Sequence, residues 1–244
     1  PFVFMKNPVM KMVFKYLEGK VNVMIHANSA RLEYLKERGY IRNMNKQFVL
    51  RNYPQFNEID TNYDDAYYDF CDWLGDSKCV YLQGISGASR ADVESIESVL
   101  SIQELKAVVV GYVNEKRMQL FEDKFGKEAL NERIFFTGRI RQLKTPQYIR
   151  KCIMGLVFYK NTTPNNWFCE PNRLFQIVNN GIPVVTGDNP PMKEFVEGGG
   201  FGISVSTDGS EVQKILEGIH YVLDNYDDIK LNIMNYSGSA LWDS

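Results

Sequence analysis

Along most of this chain, short apolar runs alternate with stretches in which apolar positions recur every three or four residues. That rhythm predicts buried strands joined by amphipathic helices. The first predicted helix starts with Asn7 as N-cap and Pro8 at the first helical position, and ends at Gly19. Val21 to Ile25 reads as a buried strand, Ser29 to Arg38 as a helix capped by Asn28 or Ser29, and Phe48 to Leu50 as a short apolar run halted by Asn52, Tyr53 and Pro54. From Gln55 to Asp65 the chain turns polar and acidic, the composition of an interdomain linker. A boundary is placed there, giving units of residues 1–58 and 59–244. The first is too short for a complete doubly wound domain, because each strand–helix–strand unit takes roughly 30 residues.

Beyond the linker the predicted elements alternate. Strands are expected at Cys79 to Gln83, Ala107 to Val110, Ile134 to Phe136, Ile153 to Tyr159, Ile182 to Thr186 and Gly202 to Val205. Helices are expected at Asp65 to Trp73, Asp92 to Ser101, Lys116 to Phe125, Pro146 to Lys151, Pro171 to Asn180 and Ser210 to Asn225. The fold class is therefore α/β, a Rossmann-like doubly wound parallel sheet with helices on both faces. Ligands of such sheets sit beyond the carboxyl ends of the strands, which singles out the loops Gly84 to Arg90, Gly111 to Asn114, Gly138 to Arg141 and Lys160 to Glu170. In the helix from Pro171 to Asn180, Leu174, Phe175, Ile177 and Val178 share an apolar side, while Asn172, Arg173 and Gln176 lie on another. Polar side chains and unpaired amides at its start, followed at once by a buried strand, suit a phosphorylated ligand.

Composition narrows the classes. The 244 residues are 44% hydrophobic and 24% charged, and 28 basic against 30 acidic side chains leave a net charge of -2. That balance gives no reason to expect nucleic acid as a partner. Cys71, Cys79, Cys152 and Cys169 are irregularly spaced, and only His26 and His220 are available as imidazole partners, so buried thiols are expected rather than structural zinc. His26, at the end of a strand, reads as a packed residue. Asp64-Asp65 and Asp227-Asp228 fit helix starts rather than a metal site, and Gly198 to Gly200 reads as a flexible turn. No apolar run reaches the roughly 18 residues of a membrane span and no signal peptide is visible, so a cytoplasmic setting is expected. Lysines among Phe, Met and Val in residues 1–20 raise membrane-surface contact, although packing on a neighbouring sheet is the plainer expectation for that helix.

Four segments in order resemble one family: Y-L-Q-G-I-S-G-A-S-R (Tyr81 to Arg90), V-V-V-G (Val108 to Gly111), I-F-F-T-G-R-I (Ile134 to Ile140) and P-N-R-L-F-Q-I-V-N-N-G-I-P-V-V (Pro171 to Val185). Together they are similar to the C-terminal, donor-binding domain of retaining GT-B glycosyltransferases of the large group 1, family 4-like set. Residues 1–58 resemble the end of the N-terminal domain and the crossover. The resemblance implies transfer of a sugar from a nucleoside diphosphate sugar to a glycan or lipid-linked acceptor, with retention and without a metal or other cofactor. Departure of the diphosphate builds negative charge that fixed cations stabilise; Arg90 is the first candidate for that role and Arg173 the second, unless Arg173 instead pairs with Glu170. The remaining donor-binding candidates are Gly84, Ser86, Gly111, Arg139, Ile140, Lys160, Glu170, Asn172 and Gln176, with Arg139 and Ile140 near the nucleobase.

Three positions depart from the family pattern. Gln176 stands where many relatives carry a ribose-binding glutamate, Phe168 where they carry an earlier one, and Ile85 where a basic residue often follows the glycine. An amide still hydrogen-bonds a diol, but without charge. A chain beginning at Pro1 would lack most of an acceptor-binding domain, so a non-catalytic nucleotide-sugar-binding module or a truncated inactive relative is the alternative. A nucleotide-sugar epimerase is a third reading, for which no acid–base pair is identifiable. Tyr159, Lys160, Trp167 and Phe168 flank a polar loop and read as packing beneath it rather than as sugar contacts.

Overall fold

The computed structural model describes residues 7–54, 60, 62–84 and 87–236. Ser86, Ile85 and most of the expected linker lie outside them. The N-terminal part comprises helix α1 (Pro8–Lys20), strand β1 (Met24–His26), helix α2 (Ser29–Glu37) and strand β2 (Gln47–Val49). Asn7 and Asn28 cap the two helices, accepting from the N–H groups of Val9 and Arg31, each at 2.9 Å. The strands pair in parallel with Ile25 opposite Phe48, and Leu32, Leu35, Tyr40 and Ile41 form a small core against Phe14, Met24 and Tyr34. Buried His26 lies 2.7 Å from Gln47 Oε1, joining the two strands as a packed residue.

Helix α1 departs from its expected packing. Val9, Met12 and Tyr16 are 60%, 73% and 66% exposed, and the buried residue of the helix is Glu18. Its carboxylate accepts from the backbone N–H groups of Arg42 and Asn43, both at 3.1 Å, which offsets the penalty of removing a charge from water.

Helix α3 (Asp65–Leu74) leads into the main sheet: β3 (Lys78–Gln83), β4 (Leu105–Val110), β5 (Ile134–Gly138), β6 (Met154–Val157), β7 (Val184–Thr186) and β8 (Gly202–Ser204). The six strands lie in the order β5-β4-β3-β6-β7-β8, every neighbouring pair parallel. The connections carry α4 (Asp92–Leu100), α5 (Glu115–Phe125), α6 (Lys127–Arg133), α7 (Thr145–Ile149), α8 (Pro164–Trp167), α9 (Asn172–Asn179), α10 (Pro190–Gly199), α11 (Val212–Asp224) and α12 (Tyr226–Asn235). One large core runs the length of this sheet, from Phe70 on α3 to Ile233 on α12. Its central strands are apolar without alternation because helices cover both faces.

The chain winds outward from β3 through β4 to β5, then returns to β6 and winds the other way. Strand order therefore reverses between β3 and β6, and loops leaving the two strands in opposite directions open a crevice there. Helix α9 presses close to this point. A Cβ at Gly155 of β6 would come within 2.6 Å of Ile177 Cδ1, so only glycine lets the helix sit so near the strand.

Several elements differ from the pattern-based reading. Strand β1 starts later, at Met24, and β7 at Val184. Helices α6, α8 and α10 were absent from that reading, and α12 entered it only as a helix start at Asp227-Asp228. Pro190 and Pro191 open α10 where a missing N–H is tolerated, and Gly198 and Gly199 form its last turn rather than a free loop. Gly200 ends it in the left-handed region at φ 63°, the usual glycine terminus of a helix. The acidic pairs do mark helix starts: Asp64 caps α3, and Asp227 and Asp228 lie in the first turn of α12.

Candidate functional site

At the crevice, the strand ends meet in a fixed sequence of contacts. Gly84 N donates to Val110 O at 3.0 Å, and Gly111 N to Gly138 O at 3.1 Å, so the ends of β3, β4 and β5 form one continuous rim. Gly84 has φ +61°, and a Cβ on it would lie 2.8 Å from Arg90 Nη1. The backbone conformation favours glycine, and a side chain here would displace the Arg90 guanidinium from its present place. Arg90 donates from Nη1 to Gly84 O at 3.0 Å.

Above this rim is a cavity of about 490 Å³. Eight of the residues singled out from the sequence line it: Gly84, Arg90, Gly111, Arg139, Ile140, Asn172, Arg173 and Gln176. They come from three strand-end loops and helix α9, up to 92 positions apart. Tyr159, which the pattern assigned to packing, also lines it. The Arg90 and Arg173 guanidinium carbons lie 5.2 and 4.9 Å from the centre of the Tyr159 ring, where the ring's electron-rich faces attract cations. The tyrosine thus holds two positive groups together that would otherwise repel. Arg139 lies likewise 4.9 Å from the ring centre of Tyr112.

Arg173 is placed unlike Arg90. Its side chain is buried in the first turn of α9 and donates to Gln83 O and, at 3.3 Å, to Phe158 O. These carbonyls end β3 and follow β6, so the guanidinium spans the point where strand order reverses. Burial lowers the Arg173 pKa from its usual range, Tyr159 opposes that shift, and Arg90 adds to it. Nε of Arg173 is buried without a hydrogen-bond partner. The alternative partner Glu170 is engaged elsewhere: its Oε1 is 3.7 Å from Arg51 Nη1.

Two further candidates lie beside the cavity rather than in its lining. Lys160 Nζ is 2.5 Å from Glu94 Oε1. Glu170 lines a second cavity of about 330 Å³, which shares Arg90, Tyr159 and Pro171 with the first. Burial pushes its carboxyl up to about 7; Arg51 and Arg31 pull it down, and Glu194 pushes it further up. Asn172 accepts a hydrogen bond from Asn52 Nδ2 at 3.0 Å, linking the segment that follows β2 to the site. Gln83, Val110, Gln142, Thr145, Tyr159 and Pro171 complete the lining of the first cavity. Gln83 and Val110 were discoverable as last residues of strands. Gln142 and Thr145 follow the Gly138 loop in sequence and reach the cavity only because that loop folds back.

Among the described residues, no group of three or more His, Cys, Asp or Glu side chains has a metal-binding arrangement. All four cysteines are free, with Cys79, Cys152 and Cys169 buried. None of the described helices is long and apolar enough to cross a membrane.

No protein-family profile matches the sequence, and no curated protein matches it. Solved structures do. Anabaena HepE in complex with UDP superposes with a TM-score of 0.76 at 16% identity, covering 96% of this chain and 63% of that one. A glycosyltransferase from Rickettsia africae gives 0.74 at 10% identity, covering 96% and 62%. Sucrose-phosphate synthase from Thermosynechococcus elongatus gives 0.69 at 13% identity, covering 94% and 57%. The fold is that of the GT-B glycosyltransferases. This chain spans between 57% and 63% of the length of these three.

Proposed function

We propose that this chain is the donor-binding part of a glycosyltransferase, with the diphosphate of a nucleoside diphosphate sugar in the 490 Å³ cavity. The observation that carries the reading is the pair of guanidiniums, Arg90 and Arg173, gathered around Tyr159 at the reversal of strand order. Anionic ligands are favoured where fixed cations and strand-end amides converge in a partly dry crevice. HepE, which shares the fold, has been solved with UDP and with UDP-glucose.

In this reading Arg90 neutralises the charge that grows on the departing diphosphate. Arg173, with donors committed to two strand ends, adds its field and keeps those ends in place. Gln176 and Asn172 accept and donate at the ribose, and Arg139 and Ile140 lie at the base. Protein cations stand in for a divalent ion, and the anomeric configuration is retained. The acceptor, a glycan or lipid-linked sugar, enters from the side of residues 1–58, and residues 1–20 supply membrane contact if that acceptor is lipid-borne.

A non-catalytic nucleotide-sugar-binding module is the second reading. It is favoured by Gln176 in place of a carboxylate and by the commitment of Arg173 to backbone carbonyls. One panel tests donor binding: thermal melts with UDP, GDP, ADP and their glucosides. At least one is expected to raise the melting temperature, since a ligand held only by the native state stabilises it by about 2.7 kcal/mol at a hundred times its Kd. Arg90→Ala is expected to weaken that ligand roughly ten- to a hundredfold through loss of a charge-assisted contact, whereas Lys116→Ala leaves it unchanged. No response to any nucleotide, or equal losses in both variants, rejects the site. Release of free sugar or transfer to an added acceptor separates the enzyme from the module.

A further inference from the structure

Among the described residues, Tyr159 is the only aromatic side chain lining the 490 Å³ cavity. Its backbone is fixed on both sides. The Tyr159 carbonyl accepts from Asn189 Nδ2 at 3.1 Å, and Asn189, fully buried, also donates to Asn166 O at 3.1 Å. The next residue, Lys160, donates from its backbone N–H to Ser89 O at 2.8 Å and pairs with Glu94. The ring is therefore held in register with the turn that carries Arg90, independently of any ligand.

The two cations beside it differ in freedom. Arg173 is buried and committed to Gln83 O and Phe158 O. Among the described residues Arg90 makes one hydrogen bond, to Gly84 O at 3.0 Å, and joins no ion pair. The guanidiniums nevertheless converge: a Cβ placed on Gly84 would lie 2.8 Å from Arg90 Nη1 and 3.6 Å from Arg173 Nη1. Like charges this close repel where little water screens them, and a single hydrogen bond is a weak tether. The Tyr159 ring, whose centre is 5.2 Å from the Arg90 guanidinium carbon, supplies the remaining attraction. From this arrangement, and resting on the nucleotide-sugar reading, we propose that Tyr159 is a positioning residue for the diphosphate: its ring keeps Arg90 turned into the crevice beside Arg173, and so sets the affinity for the diphosphate without itself bonding to it. The effect runs through Arg90, because Arg173 keeps its two carbonyl partners with or without the ring. A π face suits this task better than a carboxylate, which would neutralise both cations and compete with an anionic ligand for them.

The test is titration calorimetry on the whole chain with UDP, GDP or ADP, whichever the melting panel selects. Tyr159→Leu is expected to weaken binding about tenfold. Tyr159→Phe, which keeps the ring, is expected to lose less than about threefold. In an Arg90→Ala background the Leu substitution is expected to cost less than about threefold, since the group it acts through is already gone. Tyr159→Met fills similar space without an aromatic face, and it is held to the same limits should the Leu variant not fold. Full affinity in Tyr159→Leu overturns the inference outright. Equal losses for Phe and Leu overturn it in favour of a direct hydroxyl contact, and an undiminished loss for Leu in the Arg90→Ala background overturns it in favour of packing. In each of these cases binding by the unaltered chain keeps the donor reading intact. Failure of UDP, GDP and ADP alike to bind the unaltered chain overturns the donor reading and this inference with it.

Discussion

Glu170 shows how one residue can couple site chemistry to stability. Its carboxyl has a folded-state pKa of about 7 against an ordinary value of 4.5, with burial as the main cause. Arg51, Arg31 and Glu194 are the charged groups that face it. A carboxyl with a raised folded-state pKa binds more protons in the native than in the unfolded chain between those two values. Stability is therefore lost as pH rises through that window, and the loss is complete above it. A shift of this size corresponds to about 3 kcal/mol as an upper bound. Glu170→Gln, uncharged at every pH, is expected to melt near the unaltered protein at pH 4.5 and several degrees above it at pH 8. Melting curves across pH 4.5 to 8 check this; a difference independent of pH would contradict the buried-charge account. Arg173 makes the related point about a cation. Its chemistry was legible from its place in the first turn of a helix, but its partners were not, because Gln83 and Phe158 are 90 and 15 positions away.

Among the elements, helix α9 joins fold to site most directly. Leu174, Phe175, Ile177 and Val178 are fully buried against the sheet, and Arg173 and Gln176, each 6% exposed, are buried on its cavity side. The helix was legible from its periodicity because apolar and polar sides have different neighbours. Its depth was not, since that depends on the missing side chain at Gly155. Gly155→Val would force Ile177 from its place, and overpacking of a central strand typically costs about 1–3 kcal/mol. A lowered denaturant midpoint with an unchanged slope is expected, together with weaker nucleotide binding because α9 carries Arg173 and Gln176. Loss of stability with full retention of binding would separate the helix position from the site. Helix α10 shows the opposite failure of pattern reading. Two prolines and three glycines in 11 residues argue locally against a helix, yet Met192, Phe195 and Val196 are buried by the neighbouring strands, and tertiary packing overrides weak propensity.

Across the whole molecule, polar contacts and aromatic packing join residues 7–54 to the main sheet and its helices. Asn28 Nδ2 and Arg31 Nε both donate to Phe168 O, at 3.0 and 2.8 Å, and Arg51 reaches Glu170 and Glu194. Tyr34 also packs on Phe168, with ring centres 4.9 Å apart. Arg31→Ala is expected to destabilise by about 1–3 kcal/mol, since Phe168 O loses a charge-assisted donor. It should also speed hydrogen exchange in residues 165–170 while leaving β3 and β6 protected. Uniform acceleration throughout the main sheet would show instead that the two parts unfold as one.

The alternation of apolar strands and amphipathic helices was enough, by itself, to determine a parallel α/β sheet and to point to the loops at its carboxyl edge. Burial periodicity is a local property, and strand-end loops follow from it. The resemblance of four segments to a GT-B donor-binding domain, rather than periodicity, drew Gly84, Arg90, Asn172, Arg173 and Gln176 into one constellation. Tertiary structure alone decided which cation faces the cavity and which ties strand ends together, that Tyr159 stands between them, and that Glu170 occupies a separate chamber with unmet hydrogen-bonding capacity. Those outcomes depend on desolvation and on partners far away in sequence, quantities that arise only when the chain closes on itself.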